Sequence, residues 1–234
     1  MKVLVTGATS LLGSAVVDRL TFRGDDVSVF QRRSGRTGVS EHLGDVADRT
    51  AVDRAVEGVS AIIHLAARVG VTGPWFDYEA ANVVGTQNII DAAQASGVRR
   101  VVYVSSPSVA HHGDSLVGAR VGPADPDHTR GNYARSKAYG ELIALDSNSS
   151  DLATLAIRPH LVWGPGDTQL IGRIVERARA GRLPTIGTGA SLIDTTYVDN
   201  AADALVAALD RAPELGGRAL VVTNGEPRPV REIL

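Results

Sequence analysis

Two side chains that could exchange a proton with a substrate, those of Tyr133 and Lys137, stand four residues apart in the run YARSK. In a helix this spacing places both on one face. A phenol has an ordinary pKa of about 10, and a neighbouring ammonium favours the phenolate and lowers that pKa. A tyrosine in this setting can give a proton to a carbonyl oxygen or take one from an alcohol. The pair therefore predicts acid–base chemistry.

Hydroxyl groups are expected close to this pair. Ser105 and Ser106 directly follow the apolar run VVYV at residues 101–104, which is typical of a strand covered on both faces. Open α/β sheets bind ligands at the carboxyl ends of their strands, where these serines must lie. A Tyr-x-x-x-Lys spacing arises often by chance, so the serines give the pair its weight.

A glycine-containing loop, GATSLLG at residues 7–13, follows a short apolar strand and opens an amphipathic helix. The amide groups and dipole of a helix N-terminus bind phosphate. Gly7 permits the tight turn, and Gly13 permits close packing of the helix on the strand. The loop predicts a dinucleotide-binding site.

The end of the second strand favours NADP(H) over NAD(H). Gln31, Arg32 and Arg33 stand there, whereas NAD binding calls for an acidic residue that accepts from the ribose 2′-hydroxyl. Arginines suit a 2′-phosphate instead. Asp45 follows the third strand, and it either accepts from the adenine amine or caps the next helix.

These residues are positioned by strands that alternate with helices. We predict strands at residues 3–5, 27–30, 43–45, 61–65, 101–104, 152–157 and 220–222, and helices from residue 11 onwards and over 50–57, 80–95, 133–145, 168–180 and 200–210. Residues 107–130 show no period and predict a long loop, which beside a sheet is often functional. The alternation predicts an α/β fold with a doubly wound parallel sheet of the Rossmann type.

Composition excludes several classes of function. The 234 residues carry 24 Lys+Arg against 26 Asp+Glu, no Cys and 44% hydrophobic residues. A net charge of −2 indicates no nucleic acid partner, and the absence of Cys excludes disulfides and thiolate catalysis. We see no signal peptide or membrane span and predict a cytoplasmic protein. His111 and His112 lack a third ligand at metal spacing, so no metal site is predicted.

Segments spread from residue 3 to about 204 carry a family resemblance: VTGATSLLG, GDVAD, IIHLAA, NVVGTQNII, VVYVSS, YARSK, IRPHLVWGPGD and DTTYVDNAADA. Together they resemble an extended short-chain dehydrogenase/reductase of the NAD-dependent epimerase/dehydratase-like superfamily, in the 3β-hydroxysteroid dehydrogenase/isomerase-like branch. Bacterial reductases of 3-oxo acyl chains and sterol-type ketones are the most similar members. The resemblance implies a homodimer formed through the helices at 80–95 and 133–145.

By motif position, the resemblance implies that Tyr133 is the general acid/base, that Lys137 binds the nicotinamide ribose, and that Ser106 binds the substrate carbonyl. Asn82 is expected to be structural near the site. The predicted cofactor-binding set comprises Gly7, Thr9, Ser10, Leu11, Leu12, Gly13, Arg32, Arg33, Asp45, Val46, Ala66, Ala67, Asn82, Ser105, Tyr133, Lys137, Pro159, Leu161 and Val162.

The family pattern is interrupted at two places. Ser10 replaces a glycine, and its side chain either crowds the pyrophosphate or donates to a phosphate oxygen. The chain also stops at residue 234, where family members commonly continue. We therefore expect an NADP-binding Rossmann domain at 1–160 with the catalytic Ser, Tyr and Lys. Residues 161–234 should form a mixed substrate-binding part, interleaved with the last sheet elements and incomplete at its C-terminus.

The expected function is NADP(H)-dependent interconversion of a hydrophobic ketone, of 3-oxo acyl or sterol type, and its secondary alcohol. One alternative is a nucleotide-sugar epimerase or dehydratase with bound NAD. The other is a binding protein that senses NADP without catalysis. An accompanying isomerase activity stays an open question at this point.

Overall fold

The computed structural model describes residues 1–35, 38–70, 72–113, 116–168, 171–182 and 187–233. The strands, numbered in chain order, are β1 (Lys2–Thr6), β2 (Asp26–Gln31), β3 (Ser40–Leu43), β4 (Ala61–His64), β5 (Arg100–Val104), β6 (Ala153–Pro159), β7 (Val162–Trp163), β8 (Leu192–Ile193), β9 (Thr196–Tyr197), β10 (Arg218–Val222) and β11 (Arg228–Pro229). Seven of them form one parallel sheet in the spatial order β3–β2–β1–β4–β5–β6–β10. The order reverses between β1 and β4, as in a Rossmann fold.

Helices cover both faces of this sheet. They are α1 (Leu11–Phe22), α2 (Arg49–Val56), α3 (Trp75–Tyr78), α4 (Gly85–Ala95), α5 (Asn132–Asp146), α6 (Ile171–Arg179), α7 (Val198–Leu215) and α8 (Val230–Ile233), with a π-helical segment at Glu79–Val84 and a 3₁₀ turn at Pro107–Ala110. The predicted doubly wound parallel fold is therefore confirmed.

The apolar strands explain why helices are needed on both sides. Val3, Leu4 and Val5 of β1 are all fully buried, although successive side chains of a strand point to opposite faces. Val3 and Val5 pack in one core cluster with α1 and α7, and Leu4 packs in a second with α2, α4 and α5. A strand without a polar face can be stable only between two helical layers.

Some element boundaries differ from the sequence-based prediction. Strand β3 lies at Ser40–Leu43 rather than 43–45, because its register on β2 pairs Ser28 with Ser40. The helix predicted at 80–95 begins at Trp75 and passes through the π-helical segment before α4. The helix predicted at 168–180 is α6, and positions 169–170 of that prediction lie outside the described residues.

Residues after 160 contribute to the same sheet. Helix α7 packs on α1 and on β5 and β6, and β10 pairs with β6 at the sheet edge. Two small pairs, β7 with β9 and β8 with β11, lie beyond the carboxyl end of the sheet. These strands are two residues long, too short to give a period in the sequence.

Candidate functional site

A cleft of about 2220 Å³ opens at the carboxyl ends of β1, β4, β5 and β6. It exceeds the roughly 300–1,000 Å³ of a small-molecule pocket, so it has room for a dinucleotide and a second ligand. All but three of the predicted site residues line it: Gly7, Thr9, Ser10, Leu12, Arg32, Arg33, Asp45, Val46, Ala66, Ala67, Ser105, Ser106, Tyr133, Lys137, Pro159, Leu161 and Val162.

Three residues of the predicted set, Leu11, Gly13 and Asn82, do not border the cleft. Leu11 packs against the core cluster beneath α1. Gly13 lies in the first turn of α1, where it packs against the loop after β1. The Asn82 side chain is buried and hydrogen-bonded to protein on every side: its Oδ1 accepts from the Arg68 amide at 2.7 Å, and its Nδ2 donates to the Arg68 carbonyl at 3.0 Å and to Ser136 Oγ at 2.8 Å. Asn82 therefore clamps the loop after β4 to helix α5.

The glycine loop is packed too closely for side chains at two positions. Gly7 has a φ of +73°, and a Cβ there would lie 2.9 Å from the amide nitrogen of Ala66. A Cβ at Gly13 would lie 2.4 Å from the Gly7 carbonyl oxygen. The loop after β1 therefore touches the chain after β4, and the start of α1 faces the cleft.

The Ser10 side chain makes hydrogen bonds to its neighbours at the start of α1. It is the N-cap of α1: its hydroxyl accepts from the Gly13 amide at 3.0 Å and donates to the Gly7 carbonyl at 2.9 Å. Its single proton is thus committed to Gly7 rather than directed at a phosphate. Both hydrogen bonds stabilise the start of α1.

Replacement of Ser10 by Ala is expected to lower the free energy of unfolding by about 1 kcal/mol, the usual contribution of an N-cap. The NADPH dissociation constant should change by less than about threefold, because the Ser10 proton is not available to a phosphate and no hydrogen bond to the cofactor is lost. Thermal melting and calorimetric titration measure the two quantities. A large loss of affinity at unchanged stability would show that the hydroxyl binds phosphate.

The end of β2 presents two arginines to the cleft. Arg32 and Arg33 are exposed and line it. Glu41 on β3 braces the loop behind them, since its carboxylate accepts from Gln31 Nε2 at 2.7 Å, from the Ser34 hydroxyl at 2.5 Å and from the Gly35 amide at 3.3 Å.

Asp45 does not cap the helix that follows it. Its carboxylate accepts from the Ala47 amide at 3.0 Å, whereas the N-cap of α2 is Asp48, which accepts from the Ala51 amide. The capping alternative is therefore wrong. Asp45 and Val46 line the cleft beside Ala66 and Ala67.

Tyr133 opens helix α5 and faces Ser106 across the cleft. Burial raises the pKa of the Tyr133 phenol, and a hydrogen bond with Ser106 opposes that rise. Ser106 in turn caps the 3₁₀ turn, accepting from the Ser108 amide at 3.2 Å, and its hydroxyl lies 2.8 Å from that of Ser108. Burial is the larger effect in this structure, so the pKa of the phenol lies above rather than below its ordinary value.

The Lys137 ammonium contacts a backbone carbonyl and an aromatic ring. Its Nζ donates to the Val104 carbonyl at 2.6 Å and lies 4.1 Å from the centroid of the Tyr103 ring. Burial lowers the pKa of Lys137 to about 7, and the Glu141 carboxylate acts in the opposite direction. Lys137 is therefore a buried amine whose pKa lies well below that of an ordinary lysine.

The glycine loop and Ser105 are suited to hold a dinucleotide. The glycine loop leaves backbone amides at a helix start. Ser105 supplies a second observation: it is buried, lines the cleft, and its Oγ has no hydrogen-bond partner among the described residues. A buried hydroxyl without a partner is costly, so Ser105 has a free group for a ligand.

Residues 3–222 match the family model described as the NAD dependent epimerase/dehydratase family. This chain belongs to that family. The match covers β1 through β10, and with them the whole sheet and every residue of the cleft named above.

Curated relatives of this family member include ketone reductases and a sterol dehydrogenase. It is 44% identical to the 2-alkyl-3-oxoalkanoate reductase of Stenotrophomonas maltophilia (strain K279a), over 100% of this chain and 74% of that protein. It is 33% identical to the decarboxylating sterol-4-alpha-carboxylate 3-dehydrogenase of Homo sapiens, over 96% of this chain and 62% of that protein. The chain thus spans between about three fifths and three quarters of these relatives.

Among solved structures, the UDP-glucose 4-epimerase of Thermus thermophilus in complex with NAD superimposes with a TM-score of 0.84 and 28% identity, over 100% of this chain and 81% of that one. In the described part of this family member, no helix is both long and apolar enough to cross a bilayer. The same residues hold no group of three or more side chains placed to ligate a metal ion.

Sequence reasoning missed a buried polar chain behind the cleft, centred on His64 at the end of β4. Thr86 donates its hydroxyl proton to the Asn82 carbonyl at 2.7 Å, so it accepts from His64 Nε2 at 3.3 Å. His64 Nδ1 then accepts from the Thr6 hydroxyl at 2.7 Å, and Thr6 accepts from the Ala66 amide at 3.0 Å. Burial, with a contribution from Lys137, lowers the pKa of His64 to about 3. This neutral histidine joins β1, β4 and α4 beneath the cofactor loop.

A second missed pair is Glu141 on α5 and Arg158 on β6, an ion pair with both side chains 1% exposed. One signal was available in the sequence: Glu141 is four residues after Lys137, as Lys137 is four after Tyr133, so all three share a helix face. Nothing in the sequence indicates that Arg158 faces them.

Proposed function

We propose that this chain carries the cofactor and catalytic site of an NADP(H)-dependent oxidoreductase that interconverts a hydrophobic ketone and its secondary alcohol. One observation carries the proposal. Ser106, Tyr133 and Lys137 line a cleft that is also lined by exposed apolar side chains, among them Val117 and Leu192. Proton-transfer groups and apolar side chains in one cleft suit a ketone on a hydrocarbon chain or ring.

In this proposal the protein's residues position the substrate and move one proton. Ser106 donates a hydrogen bond to the carbonyl oxygen, and Tyr133 donates the proton that the oxygen takes up. Lys137 would hold the nicotinamide ribose, next to which Pro159 and Val162 line the cleft. The bound nicotinamide supplies the hydride for reduction and accepts it in oxidation.

The protonated phenol of Tyr133 is the form that reduction requires. Because burial raises the Tyr133 pKa, the phenol is protonated and ready to donate to a ketone. Oxidation would need the phenolate, which the buried site disfavours. The alcohol-forming direction therefore needs no change of protonation state before the reaction.

The relatives' names narrow the substrate class. A 2-alkyl-3-oxoalkanoate and a sterol-4-carboxylate with its 3-hydroxyl both carry the reacting oxygen on the carbon β to a carboxylate. We therefore extend the proposal to 3-oxo acids with long alkyl groups. NADPH consumption with such acids, with sterol ketones and with UDP-glucose tests it. Turnover of UDP-glucose with retained NAD would favour the epimerase alternative, and tight NADPH binding without any turnover would favour a cofactor sensor.

NADP(H) is the proposed cofactor because Arg32 and Arg33 stand where NAD-binding proteins need an acidic residue. Glu41 is engaged with the loop behind them, and it does not line the cleft. Arg32 and Arg33 border the cleft from this braced loop, and a 2′-phosphate there would accept charge-assisted hydrogen bonds from them.

Replacing Arg32 and Arg33 together by Ala is expected to raise the NADPH dissociation constant by roughly 10- to 100-fold, the contribution of one or two charge-assisted bonds. NADH affinity should change by less than about threefold, because NADH lacks the phosphate. Titration of both nucleotides measures the preference. Arg99→Ala is the matched control, since Arg99 is an exposed arginine at the opposite end of the strands. Equal losses for both nucleotides would contradict the assignment.

The proposal includes a homodimer, which the family resemblance implies, and a cytoplasmic location, which the absence of cysteine favours. Light scattering on the purified protein tests the first and fractionation tests the second.

A further inference from the structure

Arg158 is a charged side chain in an unusual position. It lies on β6 immediately before Pro159, it is the largest fully buried side chain of the described residues, and yet it borders the cleft. Its Nε donates to Glu141 Oε2 at 2.9 Å and its Nη2 to Glu141 Oε1 at 2.5 Å. This two-pronged contact fixes the guanidinium in one orientation.

The remaining terminal nitrogen reaches a different part of the molecule. Arg158 Nη1 donates to the carbonyl oxygen of Gly122 at 2.8 Å. Gly122 ends a segment, residues 116–122, that we call the cleft wall because all seven residues border the cleft. The wall has no helix or strand, and within the described residues the bond from Arg158 is the one hydrogen bond that reaches it.

The cleft wall carries exposed apolar side chains. Leu116 is 57% exposed and Val117 81% exposed, and Val121 is also exposed. Side chains of this type gain free energy when a hydrocarbon covers them. They can select a substrate only if the wall is held at a fixed distance from the reacting groups.

Helix α5 carries both Tyr133 and Glu141, so it connects the reacting group with the residue that binds Arg158. Tyr133 and Glu141 are eight residues apart, which places them about 12 Å apart along a rigid helix. The path from the catalytic phenol to the wall is therefore one helix, one ion pair and one hydrogen bond to a backbone carbonyl. The ion pair is buried and the hydrogen bond to Gly122 is part-buried, so the path consists of ordered groups throughout.

We propose that Arg158, held by Glu141, is a positioning residue that fixes the cleft wall relative to Tyr133 and thereby sets how a hydrophobic chain of the substrate is bound. The expected effect on substrate binding rests on the proposed function, whereas the link from Arg158 to the cleft wall does not. Arg158 touches neither proton-transfer group; it acts through Gly122.

The test replaces the pair with apolar residues of similar size, Glu141→Leu together with Arg158→Met. Such double replacements of buried ion pairs usually preserve folding, whereas removing one partner leaves a buried charge unpaired. The matched control is Arg19→Met with Asp203→Leu, an exposed ion pair between α1 and α7. Circular dichroism and thermal melting establish that each variant is folded.

The first readout is independent of activity. Arg120 lies within the cleft wall and is exposed, so trypsin cleavage after it reports how firmly the wall is held. We expect the double variant to be cut after Arg120 about tenfold faster than the wild type, as for loss of one hydrogen bond to a charged donor. Cleavage in the control variant should be unchanged. Equal cleavage in wild type and double variant would overturn the proposal.

The second readout separates positioning from a general structural role. With a long-chain 2-alkyl-3-oxoalkanoate as substrate, we expect KM to rise about tenfold and by a larger factor than kcat falls, because the wall meets the substrate whereas removal of Glu141 reaches the reaction only through the Lys137 pKa. A folded double variant with wild-type KM would also overturn the proposal. If the wild type reduces no ketone while the double variant is cleaved faster, the link from Arg158 to the cleft wall is supported and the proposed function fails.

Discussion

Replacement of Tyr133 by Phe is expected to lower kcat/KM for ketone reduction by about 10²–10⁴-fold, the usual contribution of a positioned acid. The change removes the one proton that the substrate oxygen takes up and leaves the ring in place. NADPH should bind with a dissociation constant within about twofold of wild type, because the phenol touches the reacting end of the cleft and not the phosphate loop. Initial rates and fluorescence titration measure the two effects.

The control for this variant is Tyr139→Phe. Tyr139 lies on the same helix, but its ring packs against Trp75 and Arg135, and it does not line the cleft. Its hydroxyl has no assigned part in the reaction, so turnover should be retained. Turnover retained in Tyr133→Phe as well would remove the assignment of Tyr133 as the acid.

Replacement of Lys137 by Met is expected to change activity and stability in opposite directions. Turnover should fall by about 10²-fold or more, because the ammonium that would hold the nicotinamide ribose is lost. The free energy of unfolding at pH 7 should nevertheless rise by roughly 2–4 kcal/mol, since each unit of pKa shift corresponds to about 1.4 kcal/mol and an apolar side chain suits the buried position. The lost bond to the Val104 carbonyl offsets part of the gain.

The pH dependence of stability follows from the direction in which the Lys137 pKa is shifted. The Lys137 pKa is about 7 in the folded protein against an ordinary value of 10.5, so between these values the unfolded chain binds more protons than the folded one. Wild-type stability should therefore rise as the pH increases from about 7 towards 10. Denaturant unfolding at pH 7, 8 and 9 should show that rise in the wild type and a flatter profile in Lys137→Met.

The pKa of Lys137 can be measured directly, because the sequence has two lysines, Lys2 and Lys137. In protein labelled with ¹³C at lysine Cε, Lys2 is exposed and serves as the internal reference. Lys2→Met assigns the signals and should leave stability at pH 7 unchanged within about 0.5 kcal/mol. A Lys137 signal that titrates together with that of Lys2 would contradict both the burial and the expected gain.

The sheet and the cofactor loop were predictable because their signals are local. Val3, Leu4 and Val5 form an apolar run that only a strand between two helical layers can bury, and Gly7 and Gly13 stand at the turn where side chains do not fit. The short strands such as β7 and β8 could not be predicted. Two residues carry no period, and their pairing partners, β9 and β11, lie far along the chain.

The sequence by itself determined which chemical groups the cleft contains: the Tyr133–Lys137 spacing, the serines after β5, the arginines after β2 and the glycines of the loop. Tertiary structure decided how these groups behave. It turned Lys137 towards Val104 and Tyr103, and it raised rather than lowered the Tyr133 pKa. It also brought Arg158 onto Glu141, 17 residues away. The physical reason is that spacing along a helix fixes neighbours one or two turns apart, whereas burial and charge pairing depend on all elements packed around a group.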